Sequence, residues 1–141
     1  MKKHNFLVIL IAILIAGACL SVCVAGDNSP VRGLNSTSDF FEAQNLAKAQ
    51  NKSIVLIFDQ DSCVYCDILK ENALSDSKLQ DELNSNYITA IVDVNKNYDL
   101  AAKYNIYGTP AVVFVDCDGG ELGRISGYVE ADEFLNELER I

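Results

Sequence analysis

The chain has 141 residues, half of them hydrophobic, and its twenty acidic side chains against eleven basic ones give a net charge of −9. That length suits one domain with a real core. The acidic balance argues against nucleic acid or an anionic lipid surface as the partner.

The chain opens on "MKKHN", a short basic start, and Phe6 to Ala25 follows without a charged residue. A basic start, an apolar stretch and then small residues predict a signal peptide over residues 1–26. The apolar stretch is also long enough to stay as an N-terminal membrane anchor. "AGAC" (Ala16 to Cys19) and "LSVC" (Leu20 to Cys23) each match part of a lipobox. For Cys19 and Cys23 the simpler reading is small apolar residues within a hydrophobic segment. Cleavage, retention and lipidation all place the rest of the chain outside the cytoplasm, secreted or membrane-anchored. Without Lys2 and Lys3 the remainder has nine basic and twenty acidic residues, a net charge of −11. Residues 27–37, "DNSPVRGLNST", are polar and broken by Pro30 and Gly33, and are expected to be a linker.

From Ser38 to Ile141 helical and extended patterns alternate. "SDFFEAQNLAKAQ" predicts a helix capped by Ser38, with Phe41, Leu46 and its alanines at helical spacing. "IVLIF" (Ile54 to Phe58) is a short apolar run, as in a strand buried on both faces. A helix is expected from Cys63 to about Leu74, and "SDSKLQDEL" opens another. "YITAIVDV" (Tyr87 to Val94) reads as a second central strand, and "NYDLAAKYNI" as a helix running toward Gly108. "AVVFVD", the turn "CDGG" and "ELGRISGY" form a hairpin, and "EADEFLNELERI" closes the chain as an acidic amphipathic helix. The fold class is α/β, a mixed central sheet flanked by helices on both faces.

Outside the leader the cysteines are Cys63, Cys66 and Cys117. One close pair and one odd thiol do not make a disulfide scaffold. The single histidine, His4, lies in the leader, so a zinc site would lack ligands. In "DSCVYC" the pair follows a buried strand and opens a helix. The helix N-terminus favours a thiolate there, and residues three apart share a helix face. That placement makes Cys63 the exposed nucleophile and Cys66 the recessed resolving thiol in thiol–disulfide exchange. Two other readings use the same spacing: a binding module, adaptor or metallochaperone, that holds Cu(I), and a structural staple. Tyr65, between the cysteines, is either a substrate contact or an exposed aromatic. Cys117, a six-residue strand away from Pro110, is read as a lone turn thiol roughly 20 Å from the pair. Asp59, Asp61 and Asp67 are expected to surround the pair with negative charge, Asp59 and Asp61 as solvated acids of the loop.

"YGTPAVVFV" places Pro110 directly before a strand, where an ordinary trans proline is the simplest local reading. Strand–CxxC–helix, then strand, helix and Gly108-Thr109-Pro110 ahead of a "DCDGG" hairpin and a closing helix, resembles the thioredoxin superfamily. The likeness covers nearly all of residues 38–141. It implies a thioredoxin-like fold, a cis Thr109–Pro110 bond packed beside the CxxC, and a substrate site shaped by Thr109 and Pro110. It further implies an exported thiol–disulfide oxidoreductase without organic cofactor or resident metal. The partners are then protein thiols and disulfides and a membrane thiol electron donor, with the chain acting as a monomer. The chain departs from the cytosolic pattern "WCGPC": Ser62 stands for the Trp, Val64 and Tyr65 for Gly-Pro, and Ile57 for the buried acid six residues before the first Cys. "CxYC" and Thr109 are similar to the bacterial disulfide isomerases, whose dimerisation domain has no counterpart here.

Overall fold

A computed structural model describes residues 29–141. The leader, with Cys19, Cys23 and His4, lies outside the described residues. Strand β1 (Ser36–Thr37) is followed by α1 (Phe40–Gln50), β2 (Ser53–Asp59), α2 (Val64–Glu71), a 3-10 turn (Ala73–Ser75) and α3 (Ser77–Asn86). β3 (Tyr87–Asp93), α4 (Tyr98–Lys103), β4 (Ala111–Val115), β5 (Glu121–Ser126) and α5 (Ala131–Leu138) complete the domain. The five strands form one sheet in the order β1-β3-β2-β4-β5. β1 and β2 run parallel to β3, and β4 runs antiparallel to both β2 and β5.

The apolar run in β2 is explained by its central place. Ile54 to Phe58 are all at most 2% exposed, and their side chains alternate between two cores. Ile54, Leu56 and Phe58 meet Phe40, Ala43 and Ala47 of α1 and Tyr104 after α4. Val55 and Ile57 meet Leu69 of α2, Leu79 and Leu83 of α3, and Phe134 and Leu138 of α5. Both faces of the sheet are therefore covered, as the α/β reading requires.

Three local expectations are corrected. Helix α1 is capped by Asp39, not Ser38: its carboxylate accepts from the N–H groups of Phe41 at 2.7 Å and Glu42 at 3.2 Å. Its buried stripe is Phe40, Ala43 and Ala47, while Phe41 is 76% exposed and Leu46 also faces solvent. The two alanines let this helix lie close to the sheet, and that close approach selects the stripe.

The third correction concerns the linker over 27–37. From Val31 onward it belongs to the domain, because Val31 and Leu34 are buried in the core beside α3. Side chains of α3 hold the intervening backbone. Asn84 accepts from Asn35 N–H at 2.8 Å and donates to the Gly33 carbonyl at 2.9 Å, and Gln80 donates to the Arg32 carbonyl at 2.8 Å. Ser36 and Thr37 then pair with Thr89 and Ala90.

Candidate active site

β2 delivers the chain to the edge of the core at Asp59, and Gln60 to Ser62 turn it into α2. Ser62 adopts the left-handed backbone conformation, with φ of 63°. Cys63 then caps α2. Its sulfur accepts from the Cys66 N–H at 3.2 Å, and its carbonyl accepts from the N–H groups of Cys66 and Asp67. A thiolate in this position is stabilised by the unsatisfied N–H groups and the positive end of the helix dipole. One turn on, Cys66 is 2% exposed, whereas Cys63 is only half-buried. The two are joined as a disulfide with a Cα separation of 5.2 Å.

The loop before β4 closes the other side. The Thr109–Pro110 peptide bond is cis, and the Thr109 hydroxyl lies 3.4 Å from the Cys63 sulfur and 3.4 Å from Oε1 of Gln60. The Pro110 carbonyl accepts from the Gly127 N–H at 2.9 Å, which ties the loop to the end of β5. A cleft of about 390 Å³ runs beside this loop, lined by Ile106, Tyr107, Pro110, Arg124 and Gly127 among others. Tyr107 is 94% exposed at its rim, and Val64 and Tyr65 are exposed at the start of α2.

Thus Cys63, Cys66 and Thr109 converge, Pro110 adjoins them, and Tyr65 stands on the solvent side. Cys117 does not join them: it lies free in the turn between β4 and β5, at the opposite end of β4 from Pro110. Among the described residues no group of three or more His, Cys, Asp or Glu side chains is placed to hold a metal ion. No described helix is long and apolar enough to cross a membrane.

Of the acids around the pair, Asp59 differs from the solvated charge expected, whereas Asp61 and Asp67 are exposed. Asp59 is the last residue of β2, and its carboxylate lies 3.0 Å from the Lys70 ammonium, with both side chains 22% exposed. Lys70 also meets Asp67 at 3.2 Å. Burial disfavours the Lys70 charge, but hydrogen bonds and attraction from Asp59 and Asp67 outweigh it and hold the ammonium above its ordinary value. Asp61 remains exposed. Lys70 was not read from the sequence as part of the site, although its position four residues after Cys66 places both on one face of a helix.

Ile57, where the resembling family carries a buried acid, is 2% exposed and pairs with Ile91 and Val112 on the neighbouring strands. The centre of the sheet is apolar at that position.

Known proteins match this arrangement. A family model described as a thioredoxin-like domain matches residues 40–141. A thiol:disulfide interchange protein DsbD from Yersinia pestis is 34% identical over 99 residues, 67% of this chain. The chain spans 17% of that relative's length. A thioredoxin from Thermus thermophilus superposes with a TM-score of 0.69 at 31% identity, covering 76% of this chain and 85% of that one. The oxidised C-terminal domain of DsbD from Neisseria meningitidis shares the fold, with a TM-score of 0.62 at 23% identity over 74% of this chain and 97% of that one. The chain belongs to the thioredoxin-like domain family, with Cys63 and Cys66 as its CxxC pair.

Proposed function

We propose that the domain exchanges disulfides with protein substrates outside the cytoplasm, with Cys63 attacking and Cys66 resolving. In the reducing direction the Cys63 thiolate bonds to one substrate sulfur, and the other leaves as a thiolate and takes up a proton. The Cys66 thiolate then attacks the Cys63 sulfur and expels the substrate's second sulfur. Two electrons have passed to the substrate, and the domain holds the Cys63–Cys66 disulfide. Thr109 and Pro110 form the surface beside which the substrate chain lies, and Tyr65 borders it. The observation that carries this reading is the contrast within the pair: a half-buried sulfur at a helix cap in front of a buried one.

Location and direction rest on further observations. The leader pattern of residues 1–26 supports work outside the cytoplasm, secreted or at the membrane. No histidine lies between the cysteines, and Lys70 offsets only one of the two carboxylates it contacts. These features favour a reductase or disulfide-reshuffling role, recharged by a membrane thiol donor, in a chain that works as a monomer. Relatives described as thiol:disulfide interchange proteins are consistent with exchange between proteins.

Cys66→Ser tests the assignment. With disulfide-bonded insulin as the substrate, this variant should lose turnover while accumulating a mixed disulfide on Cys63. If the mixed disulfide accumulated on Cys66 in Cys63→Ser instead, the two roles would be exchanged.

A further inference from the structure

We propose that Lys70 is a positioning residue for the redox pair, its ammonium favouring the thiolate forms of Cys63 and Cys66 against the carboxylates around them. Residues 63, 66 and 70 are spaced by three and then four, so they form one stripe along α2, with Lys70 one turn beyond Cys66. The ammonium is not free to swing into solvent. It is held at 3.0 Å by Asp59 on β2 and at 3.2 Å by Asp67 on its own helix, and its side chain is only 22% exposed.

The other charged groups at this end of the domain are placed less favourably. On the loop after β2, Asp61 is exposed, as is Glu71 on α2. At the end of β3, Asp93 is paired with Lys96, whose side chain is 78% exposed and well screened. Arg124 on β5 is engaged by Glu121. Thr109 on the proline loop has no ionisable group.

Asp59 and Asp67 each disfavour a nearby thiolate. Lys70 cancels one of these charges from a position where solvent screens it poorly. Removing the ammonium therefore raises the pH at which Cys63 becomes reactive, and removing the Asp59 charge lowers it. A pair that only held β2 against α2 would respond to both losses in the same way, through stability.

This inference rests on Cys63 being the attacking thiol. The test measures the rate of iodoacetamide alkylation of Cys63 against pH in the reduced protein, with the site of labelling mapped by mass spectrometry. Lys70→Met should slow alkylation at pH 7 by about three- to tenfold, since a tenfold change in thiolate fraction accompanies each pH step in the midpoint. Its midpoint should lie above that of the unmodified protein, Lys70→Arg should stay close to the unmodified protein, and Asp59→Asn should alkylate faster. The Lys70→Met pair should also shift toward the disulfide when equilibrated with glutathione.

An unchanged or lowered midpoint in Lys70→Met overturns the inference. So does a midpoint that moves the same way in Lys70→Met and Asp59→Asn. If Lys70→Met does not fold, Asp59→Asn decides alone: faster alkylation supports the proposal, and equal or slower alkylation overturns it. Labelling that begins on Cys66 in the unmodified protein would instead overturn the assignment of the attacking thiol.

Discussion

A cysteine lies beside each end of β4, and only one end is built for thiol chemistry. At the Pro110 end, Cys63 sits at the start of a helix, receives a backbone N–H and has the Thr109 hydroxyl beside it. At the other end, Cys117 is half-buried in a hairpin turn with no thiol partner among the described residues and packs against the core under α1 and α4. The turn is organised by its neighbour instead. Asp116 accepts from the N–H groups of Gly120 at 2.8 Å and Asp118 at 2.9 Å, and Gly119 adopts a φ of 88°. Donors at the first end converge on sulfur, and donors at the second converge on a carboxylate. The same residue type thus has different chemistry because the backbone donors around it point elsewhere.

The largest expected effect falls on the attacking thiol. Cys63→Ser should reduce insulin-type turnover to background while leaving circular dichroism unchanged, since a half-buried Cys-to-Ser exchange at a cap keeps an acceptor there. Retained turnover would place the reactive sulfur elsewhere.

A smaller loss is expected from the hydroxyl opposite that sulfur. Thr109→Val should lower the rate of the first exchange step by about three- to tenfold, matching the loss of one hydrogen bond of roughly 1 kcal/mol. Stopped-flow mixing with an oxidised peptide would read this directly. An unchanged rate would mean that Thr109 only supports the loop.

At the far end of β4 the comparison predicts near silence. Cys117→Ser should keep turnover within about twofold, given the strand of five residues at about 3.3 Å each that separates it from Pro110. A loss well beyond that, in folded protein, would make Cys117 part of the redox path.

The smallest effect concerns only the stability of that turn in acid. Backbone donation from Gly120, opposed by some burial and reinforced by Asp118, Gly119 and Lys103, holds the Asp116 carboxyl below the usual carboxylate range. A depressed value means stability that is complete above the ordinary carboxylate value and is lost as pH falls through the folded one. Asp116→Asn should therefore flatten the acid limb of the thermal stability profile below about pH 4 and leave turnover unchanged. An acid limb identical to that of the unmodified protein would assign the loss to other carboxylates.

Much of this architecture was legible because its signals are local. The apolar runs of β2 and β4 and the alternating order of elements led to a mixed sheet covered on both faces. Cys63 and Cys66 were legible because a strand end and a helix start fix their relation. Val31 and Leu34 were missed because two apolar residues in a polar stretch carry no period, and their burial depends on α3, some fifty positions later in the chain. The stripe of α1 was misread by one residue, since Phe40 and Phe41 are equally apolar and only the sheet selects between them. Lys70 escaped for a different reason: its partner Asp59 lies eleven residues earlier, across the strand-to-helix turn. Counting along α2 from Cys63 would have found Lys70, but not the carboxylate that holds it.

Every role assigned to the site follows from which sulfur reacts first. Fully reduced protein should be treated at neutral pH with less than one equivalent of iodoacetamide and the labelled peptide identified by mass spectrometry. Label is expected on Cys63, with Cys66 and Cys117 following only at excess reagent. Label appearing first on Cys66 or Cys117 would contradict that assignment.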